Sequence, residues 1–114
     1  MLLKKNRLTE SFQIKRVIKE GLKVKGVFLT LFFRENPRND SVRITIIISQ
    51  KTSKQAVLRN RLKRYLRADL RSRLSRISPK YDIVVLIGKV PETHKQISED
   101  LENLLRLTKI YKDA

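Results

Sequence analysis

The feature that most constrains this chain is a run of leucines spaced for one side of a helix. Leu58, Leu62, Leu66 and Leu70 recur every four residues, and at about 100° per residue they form one slowly drifting apolar stripe. The stripe predicts a long helix over residues 56–77, with Pro79 shortly after its end. Because this apolar side must be buried, the helix needs a second layer of structure to pack against.

Three segments rich in β-branched and aromatic residues predict that the second layer is a sheet. Residues 24–34, 42–49 and 81–88 have the composition that is typical of strands. Side chains alternate between the two faces of a strand, so the second segment has an apolar face that suits the core, made of Val42, Ile44, Ile46 and Ile48. Its other face is expected to be half-exposed and carries Arg43, Thr45, Ile47 and Ser49. Residues 35–41 and 50–55 are predicted to be polar connections.

Two further helices complete the predicted order. Thr9 and Gly21 suit the start and the end of a short helix over residues 10–20. Thr93 and Gln96 match a capping box that opens a closing helix. The closing helix is expected to bury Ile97, Leu101, Leu104, Leu105 and Thr108 and to leave Glu99, Asp100 and Glu102 on a solvated face. The order helix, strand, strand, helix, strand, helix predicts a single-domain α+β sandwich over residues 1–114, with the helices on one face of a small sheet.

The charge of the chain indicates the class of partner. The formal net charge is +16 in 114 residues, with 40% apolar residues. Such a domain repels itself unless a polyanion neutralises it, and the candidates are nucleic acid and an anionic membrane. The chain has no cysteine, its start (1–7) is a short basic arm rather than a secretory signal, and its apolar runs are too short to span a bilayer. A soluble cytoplasmic protein is therefore expected, with residues 1–7 only partly ordered.

The side of the long helix opposite the leucines carries mostly cations. Asn60, Lys63, Arg64, Arg67 and Arg71 fall within an arc of about 100°, flanked by Arg59 and Arg61. Like charges at this spacing destabilise an isolated helix by about 0.2–0.5 kcal/mol per pair. Phosphates would supply the missing counter-charge, and arginine binds phosphate through a two-pronged fork. The alternative is a solvated basic face with no specific partner, but such faces usually interleave Glu with Lys.

The residues of this helix resemble those of a known family. The run Arg59-Asn60-Arg61-Leu62-Lys63-Arg64, with Arg67 three residues on, is similar to the signature helix of the bacterial ribonuclease P protein family. The similarity continues along nearly the whole chain, through Lys5-Asn6-Arg7-Leu8, Arg43-Ile44-Thr45-Ile46 with Ser49-Gln50-Lys51, Asp82-Ile83-Val84-Val85, and the closing helix.

The resemblance carries expectations about fold and activity. It implies an α-β sandwich with a left-handed β-α-β crossover, a departure from the usual right-handed rule. It implies two partners, the catalytic RNA of ribonuclease P and precursor tRNA, with one protein per RNA. The holoenzyme is an endoribonuclease that removes the 5′ leader with Mg²⁺ held mainly by RNA. The protein is thus expected to be an accessory subunit, with no metal or cofactor bound by the protein alone.

The resemblance also implies two binding surfaces. The signature helix would contact the catalytic RNA through Arg59, Asn60, Arg61, Lys63, Arg64 and Arg67, and Arg71 lies on the same face. A cleft between the first helix and the sheet would hold the single-stranded leader, lined by Ile14, Ile18, Phe32, Lys15, Arg16, Arg43, Thr45, Ile47 and Lys51. Many relatives have Phe where Ile14 and Ile18 stand, and an aromatic residue where Phe32 stands. Isoleucine cannot stack on a base, so leader binding in this chain is expected to rely on apolar contact together with Lys15, Arg16, Arg43 and Lys51.

The remaining candidates point to packing rather than chemistry. Phe12, Phe28, Phe33 and Tyr65 are expected in the core or at its rim. His94 is the only histidine and has no cysteine or second histidine beside it, so a ligand or general-base role is disfavoured. No nucleophile triad or glycine-rich phosphate loop is visible, and no catalytic residue is predicted. A structural ribosomal protein and a module that binds anionic membranes are the two alternative functions.

Overall fold

Three helices and four strands make up the fold in the computed structural model, which describes residues 3–49 and 51–112. The predicted basic arm is therefore described only from Leu3, and Gln50 of the predicted connection lies outside the described residues. In chain order the elements are α1 (Ser11–Glu20), β1 (Leu22–Lys25), β2 (Leu29–Glu35), β3 (Arg43–Ile48), α2 (Ala56–Arg71), β4 (Tyr81–Ile87) and α3 (His94–Arg106), with short 3-10 turns at Lys4–Asn6 and Leu74–Arg76. The predicted α+β class is confirmed.

The four strands form one mixed sheet in the order β1-β2-β4-β3. β2 is antiparallel to β1 and to β4, whereas β3 is parallel to β4. α2 connects the two parallel strands, so a β-α-β unit is present as expected. Its left hand stays a prediction of the family resemblance.

The prediction of one strand over residues 24–34 is wrong, because this segment contains a hairpin. β1 ends at Lys25 and β2 begins at Leu29, and the amide of Gly26 donates to the carbonyl oxygen of Leu29 at 2.7 Å. Apolar and β-branched residues continue on both sides of the turn, so the composition alone does not mark it. The chain therefore has one more strand than the predicted order.

The helices cover both faces of the sheet, in contrast to the predicted single face. Leu29, Leu31 and Phe33 of β2 point into the main core with the leucines of α2 and the apolar side of α3. On the other face, Phe32 of β2 packs into a smaller cluster with Val17 of α1. The leucine stripe is buried as predicted, since Leu62, Leu66 and Leu70 are at most 3% exposed. α2 itself ends at Arg71 rather than continuing to residue 77.

The first helix and the arm before it are held differently from the expectation. α1 begins after Glu10, which caps no amide with its side chain, and Thr9 is not the cap. The arm is anchored to the edge strand β3, because the amide group of Asn6 donates to the carbonyl oxygen of Val42 at 2.9 Å and the amide of Leu8 donates to that of Ile44 at 3.0 Å. Asn6 is buried. Residues 6–8 thus cover part of an otherwise open sheet edge.

α3 begins at the predicted capping box, formed by Thr93 and Gln96. A solvated face was predicted for Glu99, Asp100 and Glu102; Glu99 is exposed, but Asp100 is buried and Glu102 is half-buried. The carboxylate of Asp100 is 8% exposed and accepts the backbone amides of the β1–β2 hairpin. Glu102 accepts hydrogen bonds from Arg73 and Tyr111, both at 2.8 Å. Both residues therefore tie α3 to other parts of the fold. No helix in the described part of the chain is both long and apolar enough to cross a membrane.

A third acidic residue that organises the fold is Asp82 at the start of β4. Its carboxylate accepts hydrogen bonds from the amide groups of Asn36 and Asn39 and is bound by the guanidinium of Arg43 at 3.0 and 3.1 Å. Burial by itself raises the pKa of Asp82, but the hydrogen bonds from Arg43, Asn39 and Asn36 outweigh it, and the net shift is downward. The ionised carboxylate thus pins the connection between β2 and β3 to the sheet.

We expect Asp82→Asn to destabilise the fold by about 3 kcal/mol near neutral pH, because it leaves the guanidinium of Arg43 without its partner. Since the folded-state pKa lies below the unfolded value of about 3.9, this contribution is present above that value and is lost as the pH falls through the folded pKa. Urea unfolding of both proteins from neutral to acid pH should therefore show the stability difference shrinking toward acid pH. A difference that stays constant over the whole range would contradict this account.

Candidate nucleic-acid interface

The solvent side of α2 carries a ridge of polar residues, called here the α2 ridge: Asn60, Arg61, Arg64, Arg67 and Arg71. All five are exposed, while Leu62, Leu66 and Leu70 on the other side of the helix are buried. At about 1.5 Å per residue, the ridge from residue 60 to residue 71 is about 16 Å long. The predicted cationic face therefore exists and is turned toward solvent.

The cations of the α2 ridge have no acidic partners in the part of the chain that the structure describes. No carboxylate of residues 3–49 or 51–112 lies within 4.0 Å of the side-chain nitrogens of Arg61, Arg64, Arg67 or Arg71. The one acidic residue of the helix, Asp69, is bound instead to α3. Its carboxylate meets His94 and accepts the Ser98 hydroxyl, both at 2.9 Å. The ridge thus lacks an internal counter-charge.

The two other predicted signature residues lie at the border of the ridge. Arg59 is half-buried, and its guanidinium donates to the carbonyl oxygen of Ser53 at 2.8 Å. It therefore fixes the connection that precedes α2. Lys63 is also half-buried, on the flank of the helix between the leucines and the ridge. Arg59 thus has a structural contact within the protein, whereas the five residues of the α2 ridge face solvent.

The second predicted surface is the face of the sheet that α1 covers only in part. Ile14, Phe32 and Ile47 are half-buried there and pack against Leu8, Val17 and Val84. Thr45 shares this face of β3 with Ile47 and lies opposite Val84. Ile18 is 40% exposed on α1, and Lys15 and Lys51 are also exposed. The structure therefore brings the apolar members of the predicted cleft together, with Ile18, Lys15 and Lys51 at its rim.

Arg16 and Arg43 do not join that group. The guanidinium of Arg16 pairs with Glu20 at 3.0 Å, and Arg16 lines a separate depression with Arg34 and Arg38 near the β2–β3 connection. Arg43 shares a strand face with Thr45, but its guanidinium is bound to Asp82. Both arginines were predicted in the leader cleft, and both have other contacts in the structure.

The α2 ridge and the cleft meet at the edge of the sheet. A depression there is lined by Thr45 and Ile46 of β3, by Arg7 and Thr9 of the arm, and by Arg67 of the ridge. Arg7 is placed by its bridge to Ile44, a contact between segments distant in sequence. Arg7 and Thr9 were not predicted as site residues, because only the pairing of the arm with β3 brings them to Arg67. The two surfaces therefore adjoin at this depression, where Arg7 and Arg67 are both among the lining residues.

His94 has two structural contacts, one with the carboxylate of Asp69 and one with the ring of Tyr65. Its ring stacks on Tyr65 with centroids 4.4 Å apart and an interplanar angle of 9°.

Phe33 is buried in the core, while Phe12 is 58% exposed rather than packed. Among the described residues, no three His, Cys, Asp or Glu side chains are grouped as metal ligands.

Comparisons with known proteins give the same result from sequence and from structure. Residues 2–109 match the family model described as Ribonuclease P. The chain is 35% identical over 112 residues to the ribonuclease P protein component of Pseudanabaena sp., covering 96% of this chain and 97% of that protein. The fold is similar to the RNase P protein of Staphylococcus aureus, with a TM-score of 0.86, 28% identity and coverage of 94% and 98%. For the RNase P protein of Thermotoga maritima the TM-score is 0.76, the identity 28% and the coverage 90% and 97%.

Proposed function

Because this chain belongs to the bacterial ribonuclease P protein family, we propose that it binds the catalytic RNA through the α2 ridge and the precursor tRNA leader through the cleft. The observation that carries the proposal is the absence of carboxylates around the exposed cations of the ridge, within the residues that the structure describes. Binding of phosphate to these unpaired cations costs little free energy, because no internal ion pair has to break first.

The geometry of the α2 ridge suits a phosphate backbone. Arg64, Arg67 and Arg71 follow one another at spacings of three and four residues, so their guanidinium groups lie along one line of the helix. Each offers a planar pair of donors to a phosphate, and Asn60 adds a donor and an acceptor for a sugar or a base edge. The buried leucines prevent the helix from rotating, so the ridge presents these groups in a fixed order.

The cleft suits a single strand with few sequence requirements. Phe32 supplies a ring on which a base can stack, and Ile14 and Ile47 beside it supply apolar contact. The cleft meets the ridge at Arg7 and Arg67, so one protein can contact the leader and the catalytic RNA together. This arrangement would raise substrate affinity by lowering the repulsion between two RNAs, with one protein per catalytic RNA in the cytoplasm.

Catalysis in this proposal belongs to the RNA. Mg²⁺ prefers oxygen ligands such as carboxylates and phosphates. The described residues contain no group of three or more His, Cys, Asp or Glu side chains that could hold a metal ion, and no protein-held Mg²⁺ site is part of this proposal. We propose that Mg²⁺ is held mainly by RNA, and no step of the hydrolysis is assigned to a side chain of this chain.

Reconstitution of the holoenzyme tests the proposal. Added to ribonuclease P RNA at low Mg²⁺ concentration, the protein should stimulate removal of the 5′ leader from precursor tRNA above the rate of the RNA alone. The double variant Arg64→Gln/Arg67→Gln should bind the RNA about a hundredfold more weakly or worse, because each of the two lost charge-assisted hydrogen bonds contributes about 1.5–3 kcal/mol. Its thermal stability should be unchanged, since both residues are exposed.

The matched control is Lys109→Gln/Lys112→Gln, called here the control variant. It removes the same charge from two exposed residues at the end of the chain that follows α3. The control variant should bind and stimulate like the parent protein. No stimulation by the parent protein would end the proposal, and equal weakening by both double variants would show that net charge rather than the ridge governs binding.

A further inference from the structure

The hairpin between β1 and β2 forms a basic depression that the proposed function does not use, apart from Phe32 at its border with the cleft. It is lined by Lys23 and Lys25 of β1, by Phe28 of the turn and by Lys89 just after β4. Phe32 lies at the side nearer the cleft, because Lys23 pairs with Phe32 in the strand register and Lys25 pairs with Thr30. The depression therefore continues the cleft toward the hairpin end of the sheet.

Each of the two rings in this depression has an ammonium group near it. The Nζ atom of Lys23 lies 5.8 Å from the ring centroid of Phe32, and that of Lys89 lies 5.9 Å from the centroid of Phe28. Such cation–π contacts at exposed sites are weak, so a base that stacks on the ring and a phosphate that takes the ammonium can replace them. The depression thus contains two places at which an aromatic ring lies beside a cation.

No carboxylate within the described residues ion-pairs with Lys23, Lys25 or Lys89. The carboxylate of Asp100 lies beside Gly26 in the turn of the hairpin. Its two carboxylate oxygens accept the backbone amides of Val27, Phe28 and Leu29 at 2.9 to 3.1 Å, so it is turned toward the hairpin backbone. The lysines therefore have no internal counter-charge.

Asp100 also makes the depression a fixed structure rather than a mobile loop. A Cβ atom at Gly26 would lie 2.6 Å from one oxygen of Asp100, so only glycine allows the carboxylate to approach the turn this closely. The amide of Gly88 donates to the carbonyl oxygen of Phe28 at 2.9 Å, which fastens the end of β4 to the hairpin and places Lys89 beside the ring. Phe28 is thus held from two sides, as a stacking platform must be.

We propose that this hairpin site, made of Lys23, Lys25, Phe28 and Lys89, binds the part of a single-stranded RNA leader that extends past the cleft, away from the tRNA. The inference rests on the proposed function of the cleft and adds a second subsite to it. The chemistry selects a ribose-phosphate strand because lysines alternate with rings, which suits phosphates with bases between them. The contribution of the site must then depend on leader length.

The test uses the reconstituted holoenzyme and precursor tRNAs whose single-stranded leaders are shortened one nucleotide at a time. Lys23→Gln/Lys25→Gln should weaken binding of long leaders and make the log–log salt slope shallower by about 1.4, since each phosphate contact to a single strand contributes about 0.7. Phe28→Leu keeps apolar volume against the core and should weaken the same leaders about fivefold through lost stacking. Below a threshold length, both variants should equal the parent protein.

The control variant should equal the parent protein on every leader, because its lysines lie beyond α3. Equal weakening at all leader lengths, or none at any length, would overturn the hairpin site while leaving the cleft intact. Loss of binding to anionic phospholipid vesicles without any change on leaders would also overturn it in favour of a membrane surface. If the parent protein itself showed no dependence on the leader, the proposed function of the cleft would fail as well.

Discussion

The structure depends on α2 having one apolar side that is buried and one charged side that is exposed. Burial of Leu62, Leu66 and Leu70 against the sheet and α3 fixes the rotation of the helix. A side chain of this kind contributes about 1.5–3 kcal/mol when it is fully buried, which is more than the repulsion of about 0.2–0.5 kcal/mol between neighbouring cations on the ridge. The apolar side therefore decides the orientation, and the ridge has to face solvent with its charges uncompensated.

The acidic residues of the chain explain why the charges stay uncompensated. Asp69 is bound to α3, Asp82 to Arg43, Asp100 to the hairpin backbone and Glu102 to Arg73. Each of these carboxylates holds two segments of the fold together, and none of them forms an ion pair with a cation of the α2 ridge or with a lysine of the hairpin site. Four of the 11 acidic residues thus serve the architecture of the fold, while the cations of the α2 ridge have no carboxylate partner within the described residues.

Sequence patterns predicted the features that depend on the local spacing of residues. They did not predict the features that depend on contacts between segments distant in sequence. The leucine stripe, the alternation in β3 and the capping box at Thr93 each follow from local spacing, and the structure confirms them. The hairpin at Gly26 was missed because its turn depends on Asp100, more than 70 residues later. The same reason applies to the cleft, where pairing with Asp82 draws Arg43 aside and the arm brings Arg7 to Arg67.

The salt dependence of affinity for ribonuclease P RNA tests the central claim most directly, because it counts the cations that replace counterions on phosphate. With about six phosphates contacted, the logarithm of the binding constant should fall against the logarithm of salt concentration with a slope on the order of −4 to −5. An affinity that does not change with salt would contradict a ridge of uncompensated cations as the binding surface.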